Sequence, residues 1–251
     1  MSGRVAGLTF HCPPFTSLRN PFHPMHTFFR SAFFLTASVA ALALHASPLV
    51  DETFENPTEA TYRYPSATGE IPNYHGNFSG WAGGGVIAVT YGRGLGFNAS
   101  SGMLCKVEQP ASKFMQLTLQ KVMLPFSDPS YVTRDQLKAY QLEFDAKIPE
   151  GKVLTVYLGP QGPKEMVPLE WASRLIFGKA VGTGAYKRYV FPASAATDQS
   201  LNSFLQFCRD AYLNGTEKTE VNITWLFSIK EQAWAAGESM QIDNVKLVTG
   251  P

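Results

Sequence analysis

The chain has few of the residues from which metal sites and charged interfaces are built. It contains five histidines and three cysteines in 251 residues, and charged side chains make up only 16% of it. Only His75 lies beyond residue 46, and a zinc site needs several Cys or His ligands, so a multi-histidine zinc centre is excluded there. No run of lysine or arginine suggests the basic surface of a nucleic-acid-binding protein.

The first 46 residues contain no acidic residue, and we predict that they are removed from the working protein. Met25 begins a short segment with one positive charge at Arg30, followed by an apolar run over 31–44 and then small residues. This run is about 14 residues long, whereas a membrane-spanning helix needs about 20, so it predicts a secretory signal peptide over about 25–46. We expect translation to start at Met25, which makes residues 1–24 an extension.

Without residues 1–46 the chain carries 18 basic and 20 acidic residues, a net charge of −2 over 205 residues. A near-neutral chain has no electrostatic preference for nucleic acid or for an anionic membrane, and this length suits one sizeable core. We therefore predict a single domain over 47–251. Cys105 and Cys208 could pair in an oxidising compartment or be two separately buried thiols, and the sequence leaves both alternatives open.

Apolar side chains alternate with polar ones along many short segments, which is the pattern of strands with one buried face. The clearest segment is 140–148, which places Gln141 and Glu143 on its polar face. We predict that 153–158 is its hairpin partner, with Tyr157 on the more polar face. The other predicted strands cover 86–91, 103–108, 114–120, 174–177, 186–191, 201–208, 221–230 and 240–248. So many short strands, with no long amphipathic helix, predict an all-β sandwich or barrel.

The last predicted strand, 240–248, changes its alternation at Asp243. Ile242 fits one phase and Val245 fits the other, as a β-bulge between them would require. A carboxylate at such a bulge can turn toward the segment 50–56, near the start of the domain. We therefore expect the two ends of the domain to be neighbours in one sheet.

Several blocks of the sequence resemble, in their order, the jelly-roll carbohydrate-binding modules of the galactose-binding-like superfamily, the type appended to secreted xylanases and glucanases. The resemblance implies a jelly-roll β-sandwich of two antiparallel sheets that binds a polysaccharide or another glycan without cleaving it. The blocks that carry it are Phe54 with Glu55, Gly80 with Trp81, and residues 140–147, 153–158, 185–191 and 241–247.

The same resemblance implies a structural Ca²⁺ between the first and last strands. Glu55 and Asp243 stand at the positions where the family has acidic ligands, and Glu52 is a further carboxylate nearby. Calcium takes roughly six to eight oxygen ligands, which carboxylates and backbone carbonyls would supply. We therefore predict a calcium ion held by Glu55, Asp243 and Glu52.

Modules of this kind stack aromatic rings on sugar rings, while nearby polar side chains form hydrogen bonds with the sugar hydroxyls. We predict this role for four aromatic residues in strands or loops, one arginine, and two polar residues of a strand: Tyr157, Trp171, Trp234, Tyr91, Arg93, Gln141 and Glu143. Trp225, in contrast, continues an apolar alternation, which predicts that it is a core residue.

Other functions stay open at this point. A polysaccharide lyase or glycoside hydrolase could use the same architecture, and Glu143 with Asp145 resembles the acidic strand of jelly-roll glucanases, although Ile148 stands where a third acid would be needed. A structural or adhesive envelope protein, which binds a protein partner and has no sugar site, is the other alternative. An enzyme would bring groups with shifted pKa values together in a groove, whereas a sugar binder would present aromatic rings on a concave face.

Overall fold

The computed structural model describes residues 48–55, 60–64, 71–72, 77–124, 132–160, 173–213, 220–229 and 232–249. The predicted signal peptide at 25–46 and the predicted sugar-binding residue Trp171 lie outside these ranges. Across the described ranges, none of the helices combines the length and the hydrophobicity needed to cross a membrane.

The described chain is built mainly from short strands. In chain order they are β1 (Val50–Glu52), β2 (Ala60–Tyr64), β3 (Ile71–Pro72), β4 (Asn77–Ala82), β5 (Val86–Arg93), β6 (Ser101–Gln109), β7 (Met115–Met123), β8 (Tyr140–Lys147), β9 (Val153–Pro160), β10 (Leu175–Val181), β11 (Tyr186–Pro192), β12 (Glu220–Phe227) and β13 (Ser239–Thr249). Two helices accompany them, α1 (Arg134–Lys138) and α2 (Asp198–Leu213).

The strands form two antiparallel sheets. Sheet A has the order β11-β8-β13-β6-β5-β2, with β1 also paired to β13, and sheet B has the order β10-β9-β12-β7-β4-β3. The chain crosses between the sheets repeatedly, for example from β11 to β12 and then to β13. This is the connectivity of a jelly roll, so the predicted all-β sandwich of two antiparallel sheets is confirmed.

Aromatic side chains fill the space between the two sheets. Trp225 of β12 is fully buried, with its ring centroid 5.7 Å from that of Phe144 in sheet A and 6.3 Å from that of Phe78 in sheet B. The prediction that Trp225 is a core residue is therefore confirmed. Every second residue of β8 and β9 also enters this core, as the alternation predicts.

The predicted hairpin of β8 and β9 is wrong. β8 pairs with β11 and β13 in sheet A, whereas β9 pairs with β10 and β12 in sheet B. The turn between them therefore carries the chain from one sheet to the other. Each of the two strands has one apolar face, and these faces meet across the core instead of lying side by side. Phe144 of β8 and Leu154 of β9 are both fully buried as a result.

The predicted strand at 201–208 is also wrong, because these residues belong to α2. Four buried residues of this helix have the i, i+3, i+4, i+7 spacing of an apolar helix face: Leu201, Phe204, Leu205 and Cys208. The hydroxyl of Ser200 accepts a hydrogen bond from the N–H of Ile176 at 2.9 Å and donates one to the carbonyl of Arg174 at 2.7 Å. The helix therefore covers part of the free edge of β10, which protects it from pairing with another strand.

The two cysteines of the domain are free thiols. Cys105 lies in β6 and Cys208 in α2, and both are buried and unpaired. The alternative of two separately buried thiols is therefore confirmed. Burial raises the pKa of each thiol to about 12, so very little reactive thiolate is present at neutral pH.

β1 and β6 share one side of β13. Residues 239–242 of β13 pair with β6 and residues 245–247 pair with β1, while β8 runs along the opposite side. The pairing with β8 shifts register between Asp243 and Lys246, where Asn244 has a φ of 49°. Both the predicted bulge and the predicted pairing of the two ends of the domain are therefore confirmed.

Candidate functional site

Polar side chains cross the outer face of sheet B. Tyr157 of β9 is in register with Thr224 of β12, which is in register with Thr118 of β7. The hydroxyl oxygens of Thr118 and Thr224 are 3.2 Å apart, and the hydroxyl of Tyr157 donates to Oε1 of Gln116 at 3.2 Å. We call Tyr157, Thr224, Thr118 and Gln116 the polar row. Their neighbours along each strand are core residues, so the period of two places the row on the outer face.

The polar row is buried although it faces away from the core. Its four side chains are only 2–8% exposed. The guanidinium carbon of Arg174, one residue before β10, lies 4.4 Å from the centroid of the Tyr157 ring, which is a cation–π distance. Burial raises the pKa of the Tyr157 hydroxyl, so this group stays a neutral hydrogen-bond donor at physiological pH. Mutual contacts thus hold the ring, the hydroxyls and the amide in defined positions.

More accessible side chains surround the polar row. Ile176 is in register with Tyr157 and is 44% exposed, and Thr155 and Asn222 are half-buried. An apolar side chain, a hydroxyl and an amide therefore lie beside a fixed aromatic ring and a guanidinium group. A few polar groups placed around an apolar surface are typical of a small-molecule site, and a sugar has both CH faces and hydroxyls.

The structure brings only part of the predicted sugar-binding set to this face. Tyr157 lies in the polar row, and Trp171 is outside the described residues. Trp234 is only 2% exposed, because its ring packs against that of Phe227, with the ring centroids 4.7 Å apart. Tyr91 points into the core from β5 and is also buried. Trp234 and Tyr91 are therefore core residues, and the loop and turn positions that suggested accessible rings were misleading.

The other predicted residues lie on sheet A, on the opposite side of the sandwich. The Gln141 amide donates to Oε1 of Glu143 at 2.6 Å, and Arg93 is exposed at the end of β5. Arg188 of β11 donates to Oε2 of Glu143 at 2.5 Å and to Oδ2 of Asp145 at 3.1 Å. Gln141, Glu143 and Arg93 therefore cannot join the polar row in one site.

The arrangement around Arg188 bears on the hydrolase alternative. The hydrogen bond from Arg188 holds the pKa of the Glu143 carboxyl below its ordinary value, so Glu143 stays ionised at neutral pH. A glycosidase needs one carboxyl whose pKa is raised, so that it can protonate the leaving group. Glu143 has the opposite shift, and Asp145 is bound to the same guanidinium. This pair has the character of an ion-pair network and not that of an acid–base pair.

Four residues of the face were not recognised from the sequence. Gln116, Thr118 and Thr224 are the polar members of strands whose apolar members were recognised, so the same alternation could have identified them. Arg174 begins the predicted strand 174–177, and the structure places it one residue before β10. Only the pairing of β9 with β10 brings its side chain to the ring of Tyr157.

The structure does not bring the predicted calcium ligands together. Glu52 is in register with the core residue Val245, and its Oε1 accepts the N–H of Phe54 at 2.8 Å. Asp243 is on the outer face of the same sheet, and Glu55 is exposed to solvent. Among the residues that the structure describes, no three Asp, Glu, His or Cys side chains are grouped as metal ligands.

Asp243 instead holds the loop between β5 and β6, residues 94–100. Its Oδ2 accepts the N–H of Phe97 at 3.0 Å and the hydroxyl of Ser100 at 2.7 Å, and its Oδ1 accepts the N–H of Asn244 at 2.7 Å. A Cβ at Gly96 would lie 2.6 Å from Oδ2, so only glycine fits there. Both oxygens of Asp243 thus accept hydrogen bonds within the protein, and the three predicted calcium ligands are not grouped around one point in this arrangement.

Calcium stays a prediction from the resemblance, and a melting experiment tests it. If an ion stabilises the domain, EDTA lowers the melting temperature and added Ca²⁺ restores it, because an ion that binds only the folded state stabilises that state. Mg²⁺ at the same concentration is the control for ionic strength. A melting temperature that neither EDTA nor Ca²⁺ changes would leave Asp243 with its hydrogen-bonding role alone.

No protein-family model matches the chain, and no curated protein is similar enough to count as a relative. Solved structures of a similar fold include the family 11 carbohydrate-binding module of a cellulosomal cellulase of Clostridium thermocellum, at 12% identity and a TM-score of 0.42, over 74% of this chain and 97% of that one. The family 30 module of another cellulosomal cellulase of that organism has 12% identity and a TM-score of 0.42, over 80% and 98% of the two chains.

Proposed function

We propose that this protein binds a polysaccharide or another glycan, without cleaving it, on the outer face of sheet B. The observation that supports this most is the polar row beneath Arg174. Its hydroxyl and amide groups form hydrogen bonds with one another, and all four side chains are shielded from water. They therefore keep their positions before a ligand binds. Groups that are already ordered lose little conformational entropy on binding, which favours affinity.

The residues around the polar row have complementary roles in this proposal. Arg174 presents several N–H groups in a fixed plane, which suits neighbouring hydroxyls of a sugar ring. Ile176 offers an exposed apolar side chain to the CH face of the same ring. Asn222 and Thr155 add amide and hydroxyl groups at the border. The residues of the polar row act mainly by holding Arg174 and the face in place.

We also propose that the protein works outside the cytoplasm. The support for this is the predicted signal peptide at 25–46, with its short apolar run and the small residues that follow it. An exported protein can reach polysaccharides outside the cytoplasm, so the proposed export is consistent with the proposed glycan binding.

Arg174→Ala is expected to weaken binding to the recognised polysaccharide by about tenfold or more, since a hydrogen bond from a charged group contributes about 1.5–3 kcal/mol. Affinity gel electrophoresis and pull-down against a panel of insoluble and soluble polysaccharides would first identify the polymer. Isothermal titration with an oligosaccharide of that polymer would then give the dissociation constants of the wild type and the variant.

The matched control is Arg63→Ala, which removes an exposed arginine on the outer face of sheet A that pairs with Glu108. It should bind like the wild type. Equal affinity of Arg174→Ala and the wild type would place the sugar elsewhere on the molecule. Failure of the folded wild-type protein to bind any polymer of a broad panel would overturn the proposal and favour a protein partner.

A further inference from the structure

The outer face of sheet A has a groove that the proposed function does not use. It lies over β8, β13 and β6, where Lys147, Gln241 and Leu104 are neighbours in register across the three strands. Its volume is about 320 Å³, and its lining combines an apolar floor with an amine, an amide and a hydroxyl: Leu104, Lys147, Pro149, Gly184, Ser239 and Gln241. This face is on the other side of the sandwich from the polar row.

The 94–100 loop lies on sheet A next to this groove. Asp243 and Gly102 follow Gln241 and Leu104 at the next outward positions of β13 and β6, and the loop packs on both. The approach is so close that a Cβ on Gly102 would lie 2.6 Å from the Cα of Gly96. The loop is therefore seated directly on the sheet, one residue pair away from the groove.

The backbone of this loop is strained, and a buried carboxylate holds it. Asn98 and Ala99 have φ values of 54° and 62°, which non-glycine residues adopt only at an energetic cost. Asp243, itself 1% exposed, accepts hydrogen bonds from Phe97 and Ser100 on either side of these two residues. Strain that the surrounding structure maintains in this way is typical of ligand-binding positions.

The strained loop presents an aromatic ring to solvent. Phe97 is 39% exposed, and its ring meets that of Tyr186 edge to face, with the centroids 5.8 Å apart. The hydroxyl of Tyr186 donates to the carbonyl of Leu95, so the supporting ring is tied to the loop. Tyr186 is also in register with Lys147, which lines the groove. An exposed, supported ring thus stands beside a groove lined by polar groups.

We propose that Phe97 and this groove form a second saccharide-binding site, which prefers a sugar that carries a carboxylate. The ring of Phe97 stacks on the CH face of a pyranose, and Gln241 and Ser239 form hydrogen bonds with its hydroxyls. Lys147 is exposed and makes no ion pair with any carboxylate of the described residues, so its ammonium group supplies the preference for a uronate. The two sites face opposite ways and can bind separate chains or separate stretches of one polymer.

The test is titration of the full chain with two soluble trisaccharides, one of galacturonic acid and one of xylose. The wild type should bind the galacturonic acid trimer more tightly than the xylose trimer. Phe97→Ala should weaken the binding of both trimers about tenfold, because it removes the stacking surface. Lys147→Gln should abolish the difference between the two trimers and leave the binding of the xylose trimer unchanged.

Val190→Ala is the matched control, since it truncates another exposed apolar residue of the outer face of sheet A, 48% exposed. It should bind both trimers like the wild type, and Arg174→Ala should keep the preference for the uronate. A preference for the uronate that Lys147→Gln loses and Arg174→Ala keeps belongs to the second site. The two variants therefore distinguish failure of the second site from failure of the site on sheet B. The proposal is overturned if the folded wild type binds neither trimer, or if Phe97→Ala binds them as tightly as Val190→Ala.

Discussion

Asp243→Ala is expected to lower the free energy of unfolding by about 3–5 kcal/mol, because three partly buried donors lose a charged acceptor, and a hydrogen bond to a charged group contributes about 1.5–3 kcal/mol. The donors in question are the N–H groups of Phe97 and Asn244 and the hydroxyl of Ser100. The carboxylate also holds the strained backbone at the centre of the 94–100 loop. Without it the loop should leave the sheet, so the second saccharide site should be lost together with stability.

Urea unfolding, followed by tryptophan fluorescence, would measure this change. The matched control is Asp51→Ala, which removes a partly exposed carboxylate of β1 that pairs with Lys246 at 3.2 Å. A surface ion pair of this kind contributes about 0–1 kcal/mol, so this variant should be nearly as stable as the wild type. Equal destabilisation by the two substitutions would mean that the hydrogen bonds of Asp243 do not hold the loop. Measurements in EDTA keep the result independent of any bound calcium.

Trp225→Ala is expected to lower the free energy of unfolding by about 3–5 kcal/mol, the range for deleting a large buried aromatic side chain. Trp225 is fully buried between the two sheets and contacts the rings of Phe144 and Phe78. The cavity left by the indole would lie at the centre of the sandwich, where neither sheet can move inward without disturbing its strand pairing. Chemical unfolding, followed by far-ultraviolet circular dichroism, would measure the change.

Trp225→Phe separates the loss of volume from the loss of the polar N–H. The Nε1 of Trp225 is buried and has no hydrogen-bond acceptor among the described residues. Its removal therefore breaks no hydrogen bond, and we expect the phenylalanine variant to lose only about 1–2 kcal/mol through its smaller ring. A loss as large as that of Trp225→Ala would show that the indole N–H contributes to stability, contrary to this structure.

Local patterns in the chain predicted several elements of the fold correctly. The strict alternation over 140–148 predicted both the strand β8 and its buried face. The change of phase at Asp243 predicted the bulge in β13, because a period of two cannot continue through an extra residue. The spacing of Leu201, Phe204, Leu205 and Cys208 carries equally clear information on α2, although the many short strands around it favour one more strand at this segment.

The candidate site depended on pairings that local patterns do not contain. A strand with one apolar face can be buried either beside its neighbour or across the core from it, which is why β8 and β9 were predicted as a hairpin and lie in different sheets. The same limit applies to Arg174, which reaches Tyr157 only through the pairing of β10 with β9. Tyr91 and Trp234 were predicted as accessible because turn residues surround them, and only the tertiary structure showed that both are core residues.

The sequence by itself therefore determined that the chain is an all-β sandwich or barrel, which residues of β8 face the core, and where the last strand is interrupted. These properties follow from the alternation of side chains along a strand, which is local. The tertiary structure alone decided that Asp243 holds a strained loop, that Arg174 covers the polar row, and that the two candidate sites face opposite ways. These properties depend on which strands pair, and the pairing is decided by the burial of apolar faces between residues far apart in the chain.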